Sequence, residues 1–154
     1  MSEYMTFVAK KGGVLTPICS YGRSHNIFQL FKWMAPYNKL SVVTYDTIRR
    51  AKEANKDYIE GFKVALEEME KAQRALSSWN NTISEKIEAY AGYNEQIAEI
   101  KSEIEFAKKC TGMLDMMELM VEELEFIDGA LYVGIELPEN LTIELLQDKN
   151  LKNS

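Results

Sequence analysis

One histidine, His25, occurs in 154 residues, and the two cysteines, Cys19 and Cys110, lie far apart and form no Cys-x-x-Cys unit. That scarcity nearly excludes a Cys/His zinc site within one chain, and neither a metal nor a cofactor is expected. Proline is also rare. Pro17, Pro36 and Pro138 leave the whole stretch from Tyr45 to Lys109 free of it, and that stretch holds only two glycines, Gly61 and Gly92. Long unbroken helices are therefore permitted there. No run of ~18 apolar residues exists to cross a membrane. The N-terminus carries neither an apolar signal core nor a lipidation motif, so a cytoplasmic protein with reduced thiols and no membrane partner is expected. Excess positive charge is missing too. A net charge of −6 argues against direct nucleic-acid binding.

What is present between Tyr45 and Lys109 organises the chain. Ile48, Ile59, Phe62, Leu66, Met69 and Leu76, then Ile83, Ile87, Tyr90, Ile97 and Ile104, recur mostly at steps of three, four or seven. This is the heptad pattern of helices packed along a seam. Asn55, Gln73, Asn80, Asn94 and Lys101 interrupt the seam with polar groups. Thr44 or Asp46 is placed to cap the first helix. Ser77-Ser78-Trp79-Asn80-Asn81 is a polar break, and Thr82-x-x-Glu85 has the form of a capping box. These signals predict a hairpin turn near 78–82. The competing reading is one continuous helix, because the heptad phase runs through Asn80 without a skip. The second helix is expected to run to Cys110, with Thr111-Gly112 as a stop or kink before a further helix from Met113 to Leu124.

The flanking segments read as a small sheet with short helices. Residues 4–21 form a hairpin around Lys11-Gly12-Gly13, since glycine takes positive φ without steric cost. Pro17 makes the return strand an edge or gives it a bulge. A short apolar helix spans 27–35, capped by Ser24 or Asn26, and residues 37–43 are a connector. Ala130 to Leu137 reads as a strand that joins the N-terminal hairpin. Leu141 to Gln147 suits either a strand or a short helix, and 149–154 is a polar tail. The expected fold is α+β and mostly α: one domain over 1–154, divided into 4–43, a long antiparallel helical hairpin over 44–110, and 111–148.

Charge is uneven along the chain. Residues 1–43 carry Lys10, Lys11, Arg23, Lys32 and Lys39 against Glu3, whereas 110–154 carry ten acids against Lys149 and Lys152. Such opposite ends either attract one another across the fold or form separate surfaces.

Five groups of residues carry candidate chemistry. Cys19 with His25 and Arg23 nearby could make an activated thiolate, although cysteine is more often a small buried hydrophobe. Arg23, Ser24 and His25 open a helix, and a guanidinium with free backbone N–H groups suits phosphate or carboxylate. Helix capping explains the same residues. Glu118, Glu122 and Glu125 share one helix face with Glu123 beside them, and carboxylates so spaced can hold a divalent ion or form a solvated face. Met113, Met116, Met117 and Met120 make either an adaptable partner groove or a core face packed on the sheet; the core is preferred. Phe7, Tyr21, Phe28, Phe31, Trp33 and Tyr37 could stack on single strands if exposed, but most fall on elements that read as buried.

No family motif can be laid residue by residue on this chain. Its general look resembles small proteins encoded by phages and mobile elements, a likeness that carries no site. With no catalytic constellation, the expected function is non-enzymatic. The chain reads as an interaction or inhibitor protein, expected as a homodimer, acting through self-association and a protein partner. The alternative is an anion or nucleotide binding or sequestering protein centred on Arg23.

Overall fold

The computed structural model describes residues 3–146. The chain order is β1 (Tyr4–Lys11), β2 (Val14–Gly22), α1 (Asn26–Phe31), β3 (Ser41–Val43), α2 (Tyr45–Ala75), α3 (Ile83–Phe126) and β4 (Ala130–Ile135). Single 3-10 turns follow α2 at Leu76–Ser78 and close the described chain at Ile143–Leu145. The α+β fold, with a long helix pair and an antiparallel sheet, is as the sequence indicates. The chain divides into two compact units. One comprises the described residues up to Ala54 and from Gly112 onward; the other comprises Asn55–Thr111.

The first unit is built on a four-stranded sheet of order β2-β1-β4-β3, antiparallel throughout. Lys11 pairs with Val14, leaving Gly12 (φ 55°) and Gly13 (φ 81°) as a two-residue turn. Two successive positive φ values match the twist of a hairpin, and glycine adopts them without strain. Both readings of Pro17 hold. β2 is an edge strand, and its register shifts between Phe7↔Cys19 and Val8↔Pro17, so Ile18 is the extra residue of a bulge. The connector expected over 37–43 contains a strand that the sequence reading missed. Ser41–Val43 is too short to show alternation, and pairing with β4 is what makes it a strand.

Both faces of this sheet are covered. Met5, Phe7, Leu131, Val133 and Ile135 are buried on one face, as are Ile27, Phe28 and Phe31 of α1 and Leu114, Met117, Val121 and Leu124 of α3. Val8 and Tyr132 point the other way and pack with Leu40 and Leu146, flanked by Leu137, Leu141 and Leu145. The segment after β4 is therefore a lid on the second face. The undecided stretch 141–147 is a 3-10 turn over Ile143–Leu145, with the Leu40 amide donating to the Leu145 carbonyl at 2.7 Å. Gln147 and the expected tail at 149–154 lie outside the described residues.

Three helix boundaries differ from the sequence expectation. α1 ends at Phe31 rather than near Ala35, and its cap is His25, whose Nδ1 accepts from the Ile27 amide at 3.0 Å, rather than Ser24 or Asn26. α3 does not stop at Cys110. It continues for 44 residues to Phe126, about 66 Å at ~1.5 Å per residue. Thr111 bonds its hydroxyl back to the Ala107 carbonyl instead of capping a new helix. Gly112 costs roughly 1 kcal/mol in a helix, which burial of Ala107, Cys110, Leu114 and Met117 around it readily outweighs. α3 ends where Asp128 (φ 56°) lets the Gly129 amide reach the Leu124 carbonyl at 2.7 Å and the Asp128 amide reach Glu125 at 3.2 Å. That is the paired closure of a Schellman motif, with aspartate in the position usually held by glycine.

The second unit is the helical hairpin. Thr82 caps this helix as expected: the Glu85 amide donates to Thr82 Oγ1 at 3.2 Å, and that hydroxyl donates to Glu85 Oε1 at 3.0 Å, a side-chain bond in place of the capping box's reciprocal bond to the backbone N–H. The polar seam residues find partners across the hairpin. Asn55 Nδ2 donates to the Ala107 carbonyl at 2.9 Å and to Thr111 Oγ1 at 3.0 Å. Gln73 Nε2 donates to Asn94 Oδ1 at 2.7 Å.

Candidate functional site

The loop after β2 carries Arg23, Ser24 and His25. Arg23 is exposed, with Nη1 4.0 Å from Glu3 Oε1, and its carbonyl accepts from Gln29 Nε2 at 2.6 Å. A carboxylate beside the guanidinium weakens its pull on a second anion. His25 Nδ1 already serves the Ile27 amide, and its ring lies 4.6 Å from that of Tyr21. Burial pushes the His25 pKa below the usual imidazole range. Helix α1, at six residues, offers a single turn of N–H groups.

Cys19 lies on the sheet face that carries Phe7, as pairing with Phe7 requires. Plain alternation would send Ile18 and Cys19 to opposite faces. The bulge at Ile18 instead brings both side chains to one cavity of about 160 Å³, lined also by Phe7, Tyr21, Leu131 and the four methionines 113, 116, 117 and 120. Burial pushes the Cys19 thiol up, against a smaller opposing effect of a Tyr21 hydrogen bond. A thiol so placed is a poor nucleophile at neutral pH. The methionine face packs towards the sheet, yet only Met117 is fully buried and Met116 is exposed.

The acidic run is divided in its roles. Glu118 and Asp115 hold Lys52 Nζ at 3.1 and 2.7 Å, tying α3 to the start of α2. Glu122, Glu123 and Glu125 are exposed. Among the described residues no group of three or more His, Cys, Asp or Glu is placed to hold a metal ion. Of the aromatic set, Phe7, Phe28 and Phe31 are core. Trp33 is exposed under the Arg50 guanidinium at 5.3 Å, and the Tyr37 hydroxyl donates to Glu3 Oε2 at 2.8 Å.

One open apolar feature is one the sequence reading misplaced. Ile83, Ile87 and Tyr90 follow the heptad seam, but at the hairpin tip they are 77%, 64% and 51% exposed. With Leu76, Gln73, Arg74, Ser77 and Lys86 they line an open cleft of about 400 Å³. The reason is the end of α2. It stops at Ala75, so the first turns of α3 have little opposite them except Leu76 and the amide of Gln73, which the Tyr90 carbonyl accepts at 3.3 Å. Heptad spacing could mark these residues as a stripe; it could not show that the partner helix falls short. No helix among the described residues is long and apolar enough to cross a membrane. No protein-family model, curated protein or solved structure matches the chain.

Proposed function

We propose that this chain is a non-enzymatic interaction protein that self-associates through its helical hairpin, in the manner of proteins that act by occupying a partner. One observation carries the reading. In the hairpin, no residue from Lys56 to Ala75 or from Ser77 to Gln96 is buried, although Ile59, Phe62, Leu66, Met69, Ile83, Ile87 and Tyr90 lie on one heptad seam. A two-helix ribbon covers only part of such a stripe, and a second copy laid along it supplies the missing wall. The stripe is continuous with the cleft at the tip, whose exposed isoleucines lie at the four-residue step of a helix packing face.

Anion binding around Arg23 has less support, because Glu3 lies 4.0 Å from that exposed guanidinium and offsets part of its pull on a second anion. The enzyme reading has less support: burial raises the pKa of the Cys19 thiol, which disfavours the thiolate that a nucleophile needs. Sedimentation equilibrium at micromolar concentration is expected to give about twice the 17.7 kDa chain mass. Ile87→Glu, on an exposed position, is expected to give a folded monomer. A wild-type chain that stays monomeric at high concentration would remove self-association from the reading.

A further inference from the structure

Five of the nine residues that line the cavity between β2 and α3 carry sulfur. The chain has eight methionines, and four of them, Met113, Met116, Met117 and Met120, line a space of about 160 Å³ together with Cys19. Two independent features converge to make it. Helical spacing puts the four thioethers on one side of α3, and pairing with Phe7 puts the Cys19 thiol of the edge strand on the sheet face that meets them. The space is open on one side, where Met116 is exposed, and is walled otherwise by Phe7, Ile18, Tyr21 and Leu131.

We propose that this cavity is a binding site for a soft monovalent d10 metal ion, Cu(I), held by the Cys19 sulfur and two or three of the methionine thioethers. Thiolate and thioether donors select Cu(I) over harder ions. Charge points to the same choice. As the copper–sulfur bond forms, the thiol proton leaves to water, and one thiolate with one monovalent cation makes a neutral unit that an apolar cavity tolerates. A divalent ion would remain charged there, and the cavity lining offers no carboxylate or imidazole to offset it. Exposed Met116 and half-buried Met113 and Met120 provide the route in.

The test is Cu(I) titration of the full-length reduced protein under anaerobic conditions, in competition with bicinchoninate, with X-ray absorption of the loaded protein. One copper per chain with a sulfur-only first shell is expected. Cys19→Ser is expected to weaken binding on the order of a hundredfold or more, and the pair Met113→Leu with Met120→Leu on the order of tenfold or more. Cys110→Ala is expected to leave the affinity unchanged. Three results would overturn the site: no copper withdrawn from bicinchoninate, nitrogen or oxygen in the first shell, or copper bridging two chains through two thiols. Full affinity in the double Leu variant would also overturn it. If that variant fails to fold, the first-shell measurement on the wild type decides alone.

Discussion

Asn55 sits on the hairpin seam, 1% exposed, with its Nδ2 satisfied twice and its Oδ1 buried without a partner. An orphaned buried acceptor costs about 1–3 kcal/mol, whereas replacing it with an apolar group of similar size is close to neutral. Asn55→Leu is therefore expected to be at least as stable as the wild type in urea unfolding, and more stable than Asn55→Ala by about 2–5 kcal/mol because it fills the buried space. A Leu variant less stable than the wild type would show that the polar contacts outweigh the orphaned acceptor. His25 gives a pH-dependent counterpart. Its folded pKa is lowered by burial, and protonating Nδ1 would break the cap to Ile27. The sign follows: its contribution is fully present above the unfolded value near 6.5 and is lost as pH falls through the depressed folded value. His25→Asn keeps a capping acceptor without the titration. Melting temperature is expected to fall more steeply for the wild type than for this variant between about pH 7 and 5. Parallel curves would count against the cap.

At the scale of elements, the two ends of α3 rest on different chemistry. Its N-terminus uses side chains: Thr82 caps, and Glu85 accepts from both Thr82 and Asn81, which holds the Glu85 carboxyl below its usual range. Thr82→Ala is expected to cost about 0.5–2 kcal/mol, read by chemical denaturation. Its C-terminus uses backbone alone, with Asp128 in the left-handed region. Asp128→Gly is expected to stabilise by roughly 1 kcal/mol, because glycine takes that φ without the Cβ penalty; a loss of stability would mean that the aspartate side chain contributes there. The next residue, Gly129, has no such freedom to change. A Cβ there would collide with the Lys10 carbonyl, so the close approach of β1 requires glycine. The first cap could be read in the sequence as Thr-x-x-Glu, and Asp128-Gly129 only as a turn. The length of helix between them could not, because Thr111-Gly112 looks the same locally whether it stops a helix or rides through one.

For the molecule as a whole, 60% helix among the described residues predicts a far-UV circular dichroism spectrum dominated by the 208 and 222 nm bands. A spectrum dominated by strand would refute the architecture. Self-association adds a thermodynamic signature. If the hairpin stripe is covered by a second copy, folding is linked to association, and melting temperature rises with protein concentration by mass action. That dependence is expected to vanish in Ile87→Glu while the helical spectrum is retained. A melting temperature independent of concentration in the wild type would mean that the hairpin stands without a second copy.

Local chemistry determined much of this protein from the sequence alone. The Gly12-Gly13 turn, the Thr82 cap, the absence of proline from 45 to 109 and the heptad spacing are short-range signals, and each fixes backbone conformation within a few residues of itself. They yield the hairpin of helices, the hairpin of strands and the place of β4 beside them. Tertiary structure decided the rest, because burial depends on what lies opposite rather than on what lies adjacent. Ser41–Val43 became a strand through β4. Val8 became core because the Leu137–Leu146 segment covers it. Ile87 kept its heptad position and lost its burial because α2 ended first. Cys19 and four methionines, separated by more than ninety residues of sequence, share one cavity only because pairing of Cys19 with Phe7 and the unbroken length of α3 bring them there.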